Sequence, residues 1–106
     1  MKLALIVHAT DAEILWNGFR LGLFARKAGD EVSAFLLARG VECETHATPP
    51  FDVKSMMQEF VDAGGRILAC GTCLKLRHSE GTELCPLSTM QDLYELVSAA
   101  DRVVTI

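Results

Sequence analysis

The sequence predicts an α/β domain with helices over both faces of a parallel sheet. Three observations predict it. Short apolar runs of strand length, beginning with Leu3 to Val7, lack the alternation of a half-exposed strand and so read as strands covered on both faces. Segments of helical periodicity separate these runs, which is the order of a right-handed parallel crossover. Glycines at Gly29 and at Gly64 and Gly65 stop the first two helices.

Each element follows from its residues. Thr10 with Glu13 three positions on forms a capping box, so a helix starts near Asp11 with Ile14, Leu15, Gly18, Phe19, Leu21, Gly22 and Phe24 as a broad buried face. Val32 to Leu37 is the second strand, and Gly40 to Glu44 is a short extended piece or an irregular turn. Pro49 and Pro50 make the following segment a loop. Asp52 or Ser55 caps a second helix whose stripe is Met56, Met57, Phe60 and Val61. Arg66 to Cys70 is a third strand, and Gly71 to His78 turns into a short helix. Glu83 to Leu87 is a brief fourth strand limited by Pro86. Ser88 and Gln91 form a second capping box, before a helix burying Leu93, Tyr94, Leu96 and Val97. Arg102 to Ile106 closes the sheet.

Composition narrows the function. The chain has 106 residues, 50% of them hydrophobic, and its length suits one domain, residues 1–106, around one core. A net charge of −4, spread evenly along the chain, argues against nucleic acid, which needs a clustered excess of Lys and Arg. The opening apolar run is too short for a signal peptide, and Arg20, Arg26 and Lys27 interrupt the next one, so neither export nor a membrane span is expected. The expected location is the cytoplasm. No phosphate-binding glycine loop or serine nucleophile elbow is present, and no cofactor is implied.

Four cysteines then carry the functional question, because a reducing compartment disfavours permanent disulfides. Cys70, Gly71, Thr72 and Cys73 form a Cys-x-x-Cys unit at a strand-to-helix turn, outside the carboxyl end of a strand where α/β sheets collect ligands. Turn amides and a helix N-terminus there would favour a thiolate, Gly71 would let amides approach the sulfur, and Lys75, Arg77 and His78 would add positive charge. Cys73 and Arg77, four apart, would share a helix face. The same pair also reads as two small buried apolar residues. A thioredoxin-like oxidoreductase lacks support in the strand order, and no cis-proline candidate stands out. A zinc site would draw on Cys43, Glu44, His46, Cys70, Cys73, His78 and Cys85, but no second paired-ligand spacing completes a set. Cys85 is either a resolving thiol or a half-buried strand residue. Cys43 has acidic neighbours that raise a thiol pKa and is taken as an ordinary residue. His8, at the end of the first strand, is a candidate proton donor on the same sheet edge.

The stretch from Arg66 to Arg77, the segment Ser88 to Leu93 and the ending Ala100 to Val104, with Gly40 to Glu42 and the Gly64–Gly65 stop, resemble the DsrE/DsrF-like family of small sulfur-metabolism proteins. The resemblance implies a three-layer α/β/α fold with a five-stranded, mainly parallel sheet, flavodoxin-like in outline, and assembly as a homotrimer or hexamer. It implies a sulfur relay in which a cysteine at the end of the central strand, matched by Cys70, holds sulfane sulfur as a persulfide received from a small sulfur-carrier protein or other donor. Cys73 matches a second cysteine of some members, as acceptor or resolving thiol, with Arg77 as an electrostatic aid. His78 and Ser79 stand where a glycine often follows the arginine, and Cys85 is a further departure. Two other classes use the same residues: a non-catalytic assembly module, and a thiol redox or metal-binding protein.

Overall fold

The computed structural model describes every residue from Met1 to Ile106. Five strands, β1 (Lys2–Val7), β2 (Glu31–Leu36), β3 (Arg66–Cys70), β4 (Leu87–Ser88) and β5 (Arg102–Thr105), form one sheet in the order β4-β3-β2-β1-β5. Every pairing is parallel. The apolar runs predict this because a parallel strand has both faces covered: Leu3, Ala4, Leu5 and Val7 of β1 are all buried. The middle strand is β2, so β3 with its terminal cysteine lies one place off centre.

Helices α1 (Ala12–Lys27), α2 (Val53–Asp62), α3 (Gly71–Leu76) and α4 (Met90–Ala99) connect the strands, and a 3-10 helix spans Ala38–Thr45. α1 and α2 lie side by side on one face, where Phe19 and Phe60 meet at 5.9 Å between ring centroids. Gly22 of α1 lets Leu5 and Phe60 come close, since a Cβ there would stand 3.0 Å from both. On the opposite face α4 runs over Ser33 and Leu68. α3 sits at the carboxyl end of β3 and packs on the 3-10 helix.

The caps fall one residue from the predicted boxes. Asp11, not Thr10, caps α1, its carboxylate accepting from the Ile14 amide at 3.0 Å. Thr10 lies outside, its carbonyl engaged by His46 Nε2 at 3.0 Å. Thr89 and Asp92 form the capping box of α4. Ser88 is unavailable because it pairs with Cys70 as part of β4. β4 itself is shorter than predicted. Pro86 has no N–H to donate, so the strand starts as its carbonyl accepts from the Ala69 amide at 3.0 Å. Asp52 caps α2. The Pro49–Pro50 bond, in the loop entering α2, is cis.

Burial differs more than boundaries. Only Leu15, Phe19, Gly22 and Ala25 of α1 are buried; Ile14 and Leu21 are exposed, and Phe24 is 74% exposed. α4 buries no residue at all, with Leu93 and Leu96 half-covered and Tyr94 72% exposed. α1 has α2 as a neighbour, whereas α4 is the one long helix on its face and is open on both flanks. The core is one cluster of 21 residues, in which Phe60 is fully enclosed against Phe19, Gly22 and Gly65. Phe60→Ala removes a ring that nothing nearby can replace, and we expect urea denaturation to show a loss of about 3–5 kcal/mol with an unchanged m-value.

Candidate functional site

Cys70 ends β3 and occupies the N-cap of α3, 9% exposed. Its side chain accepts no capping hydrogen bond. The expected embrace of this sulfur by turn amides is therefore not formed, and α3 is only six residues long. Gly71 serves another purpose: a Cβ there would lie 2.9 Å from the Ser88 carbonyl, so glycine lets β4 approach the turn. Thr72 is exposed on the first turn of α3.

Cys73 is half-buried beside Cys70, and its sulfur accepts the backbone N–H of Ala38 at 3.1 Å. Partial burial and the neighbouring Cys70 sulfur raise its pKa above the ordinary thiol value, while the Ala38 amide and Arg77 pull in the opposite direction. Arg77 is chiefly a clamp. Its Nε lies 3.3 Å from Glu42 Oε2, and its Nη1 donates to the Cys73 carbonyl at 2.9 Å, tying α3 to the 3-10 helix. Arg39, Glu42, Leu76 and Arg77 line a shallow open groove on this side, with Leu76 75% exposed at its rim.

The 3-10 helix is the platform for the pair. Gly40 lies so close to the end of β1 that a Cβ would collide with the Val7 carbonyl. Further along, Glu44 accepts from Thr82 Oγ1 at 2.9 Å, which fastens the loop before β4 to the same platform, and Thr82 Oγ1 accepts from the Cys85 amide.

The other candidates lie elsewhere. His8 is exposed at the end of β1, with β2 between it and β3, about 10 Å away by strand spacing. Cys85 is buried, and the groups acting on its sulfur are Cys43, Glu44 and Thr82 rather than the Cys70–Cys73 pair. Cys43 is buried against Met57 Sδ at 3.5 Å. Burial, aided by Glu44, pushes the Cys43 thiol up to about 12, and burial raises Cys85 further. No three His, Cys, Asp or Glu side chains converge to hold a metal ion. All four cysteines are free. A cleft of about 200 Å³ between α4 and the strand beginnings, lined by Lys2, Glu31, Ser33, Arg66, Asp92 and Glu95 among others, is at the other end of the sheet.

Sequence reasoning placed Cys70, Cys73 and Arg77 together but missed Ala38, Arg39, Glu42 and Leu76. Nothing in the segment Leu37 to Glu42 announces an amide aimed at a sulfur 35 residues away. The acid Glu42, carried on a segment of unassigned structure, was the one available hint of a partner for Arg77.

This fold and thiol pair define a class. The DsrE/DsrF-like family model matches residues 1–106, and the chain belongs to that family. An uncharacterized protein of Methanopyrus kandleri, MK0008, is 30% identical over 98 residues, covering 87% of this chain and 81% of its own. The crystal structure of the YchN protein from E. coli superposes with a TM-score of 0.87 at 19% identity, over 100% of this chain and 99% of that one. A conserved protein of unknown function from Bacteroides thetaiotaomicron, BT1422, gives 0.75 at 15% identity, over 99% and 94%. At these identities the two structures speak for the fold alone. No helix is long and apolar enough to cross a membrane.

The buried thiols make alkaline stability a readout of this arrangement. Cys43 and Cys85 hold their protons more tightly folded than unfolded, so their contribution is complete below the ordinary value of 9.0 and is lost as pH rises from there, towards about 12 for Cys43 and higher still for Cys85. Urea midpoints should fall above pH 9, each thiol removing about 1.4 kcal/mol per pH unit. The paired substitution Cys43→Ala and Cys85→Ala should flatten that decline.

Proposed function

We propose that this protein is a cytosolic sulfur relay that carries sulfane sulfur as a persulfide on Cys70. The observation that carries the reading is the pair itself: a shielded cysteine at the end of a parallel strand with a second, more accessible thiol beside it. Family membership supports the sulfur chemistry. In the first step the Cys70 thiolate attacks the outer sulfur of a donor persulfide. The donor's S–S bond breaks, the donor leaves as a thiolate, and Cys70 holds the transferred sulfur. Shielding of Cys70 keeps the adduct from oxidants and stray thiols. Cys73 then takes the sulfur onward, or displaces it as sulfide by closing a Cys70–Cys73 disulfide. Overall the chain acts as a sulfurtransferase that needs no cofactor.

The donor or acceptor, a small sulfur-carrier protein or another persulfide, would approach over the groove of Arg39, Glu42, Leu76 and Arg77. Mass spectrometry after incubation with a sulfane-sulfur donor tests the reading. A one-sulfur mass increase mapped to Cys70, absent in Cys70→Ser, is expected; a protein that gains no sulfur, or gains it equally in Cys70→Ser, sinks the relay and leaves the assembly module.

The same proposal includes a homotrimer or hexamer. Met90, Tyr94 and Val97 recur at helical spacing along the open side of α4, and Val103 is exposed on the edge strand β5. A helix with no buried residue gains its burial from a neighbouring copy. Sedimentation should give a trimer or hexamer for the wild type and a smaller species for Tyr94→Arg.

A further inference from the structure

Two residues other than glycine have left-handed backbone, Ala38 with φ +52° and His78 with φ +55°. They bracket the thiol pair: Ala38 begins the 3-10 helix and His78 follows the end of α3. A left-handed alanine is disfavoured by its Cβ, so the surroundings must hold it there. They do so on three sides. The Leu37 amide still continues the sheet ladder, donating to the Val7 carbonyl at 3.0 Å. The Gly40 amide bonds back to the Leu37 carbonyl at 2.9 Å while Gly40 itself presses on Val7. Arg77 fastens Glu42 and the Cys73 carbonyl together. Between these anchors the Ala38 amide leaves the ladder and points at Cys73 Sγ.

A neutral thiol is a weak acceptor, whereas a hydrogen bond to an ionised sulfur is about twice as strong as one to a neutral group. A donor held in a pre-set position favours the charged form of its partner, here working with Arg77 against burial and the Cys70 sulfur, which keep the Cys73 pKa above the ordinary thiol value. Cys70 takes no capping amide; the group facing its sulfur is the Cys73 thiol, an interaction that raises the Cys73 pKa. We propose that the Ala38 backbone N–H is the thiolate-stabilising group for the second sulfur-transfer step, holding Cys73 as the nucleophile that takes sulfane sulfur from Cys70. This rests on the relay reading above and adds an order to it. The Cys73 thiolate attacks the outer sulfur of the Cys70 persulfide. A bond forms from Cys73 Sγ to that sulfur as its bond to Cys70 Sγ breaks. The electron pair leaves on Cys70, the proton stays with the migrating sulfur, and no oxidant or reductant is consumed. Sulfur thereby moves from the shielded position to the accessible one, beside the groove.

The test begins without any sulfur donor. In ¹⁵N-labelled Cys70→Ser protein, the Ala38 amide proton should shift with pH at the same midpoint as the Cys73 Cβ resonance. An Ala38 amide that stays flat while Cys73 ionises overturns the proposal. A backbone ester at position 38, made by replacing Ala38 with lactic acid, deletes the N–H and also weakens the Leu37 carbonyl that accepts from Gly40. An ester at position 40 reproduces that second effect without touching the Ala38 N–H, so the position-38 ester is read against the position-40 one. On that comparison the position-38 ester should raise the Cys73 midpoint by about one unit and slow the Cys70-to-Cys73 transfer about tenfold; an unmoved midpoint also overturns the proposal. A wild-type protein that forms no Cys70 adduct would instead remove the relay and leave the Ala38 titration standing, so the two failures are distinguishable.

Discussion

The docking of the 3-10 helix across the carboxyl ends of β1 and β2 is the contact on which the thiol site depends. It requires glycine at position 40, because the backbone there touches the Val7 carbonyl with no room for a side chain. From that contact follow the Ala38 amide on Cys73, the Glu42 carboxylate on Arg77 and the Glu44 carboxylate on Thr82. Three otherwise separate pieces, the strand end, the short helix α3 and the loop before β4, are thereby gathered around two sulfurs. A six-residue helix has little stability of its own. Its position is fixed by what it is tied to.

The four cysteines divide by environment rather than by sequence spacing. Cys43 and Cys85 lie in the packed interior, where burial keeps them protonated and inert. Cys70 and Cys73 lie at the carboxyl end of β3, the first buried and the second half-buried beside Arg77, which lines the groove. Access to solvent separates Cys73, which is half-buried, from the enclosed Cys43 and Cys85.

The strand runs made most of the fold legible. A five-residue apolar run such as Leu3 to Val7 has few alternatives once it is too short for a helix, and β3 was read to the residue. Cap positions were less legible, since Thr10, Asp11, Ser88 and Thr89 all carry a capping oxygen and only the tertiary pairing of Ser88 with Cys70, or of Thr10 with His46, assigns each its task. Burial of helix faces was least legible. Periodicity says that Tyr94 and Phe24 belong to an apolar stripe, but not whether the stripe meets the molecule's own sheet or something beyond it. The 3-10 helix escaped because its period matches neither the helical nor the strand pattern, and with it went the amide on Cys73.

The strand order also sets a sequence of events in time. β1 finds one neighbour, β2, soon after the first helix, but its other neighbour is β5, and the two are joined at their start by the Lys2 amide and Asp101, 99 residues apart. Closing so long a loop is entropically costly and follows local pairings. Until α4 has crossed the sheet, one edge of the apolar strand Leu3 to Val7 is bare, with its amides and carbonyls free to pair with any passing chain. On a ribosome that interval lasts while everything between β1 and β5 is made, so this exposure is set by topology and not by the exposed side chains of the finished protein.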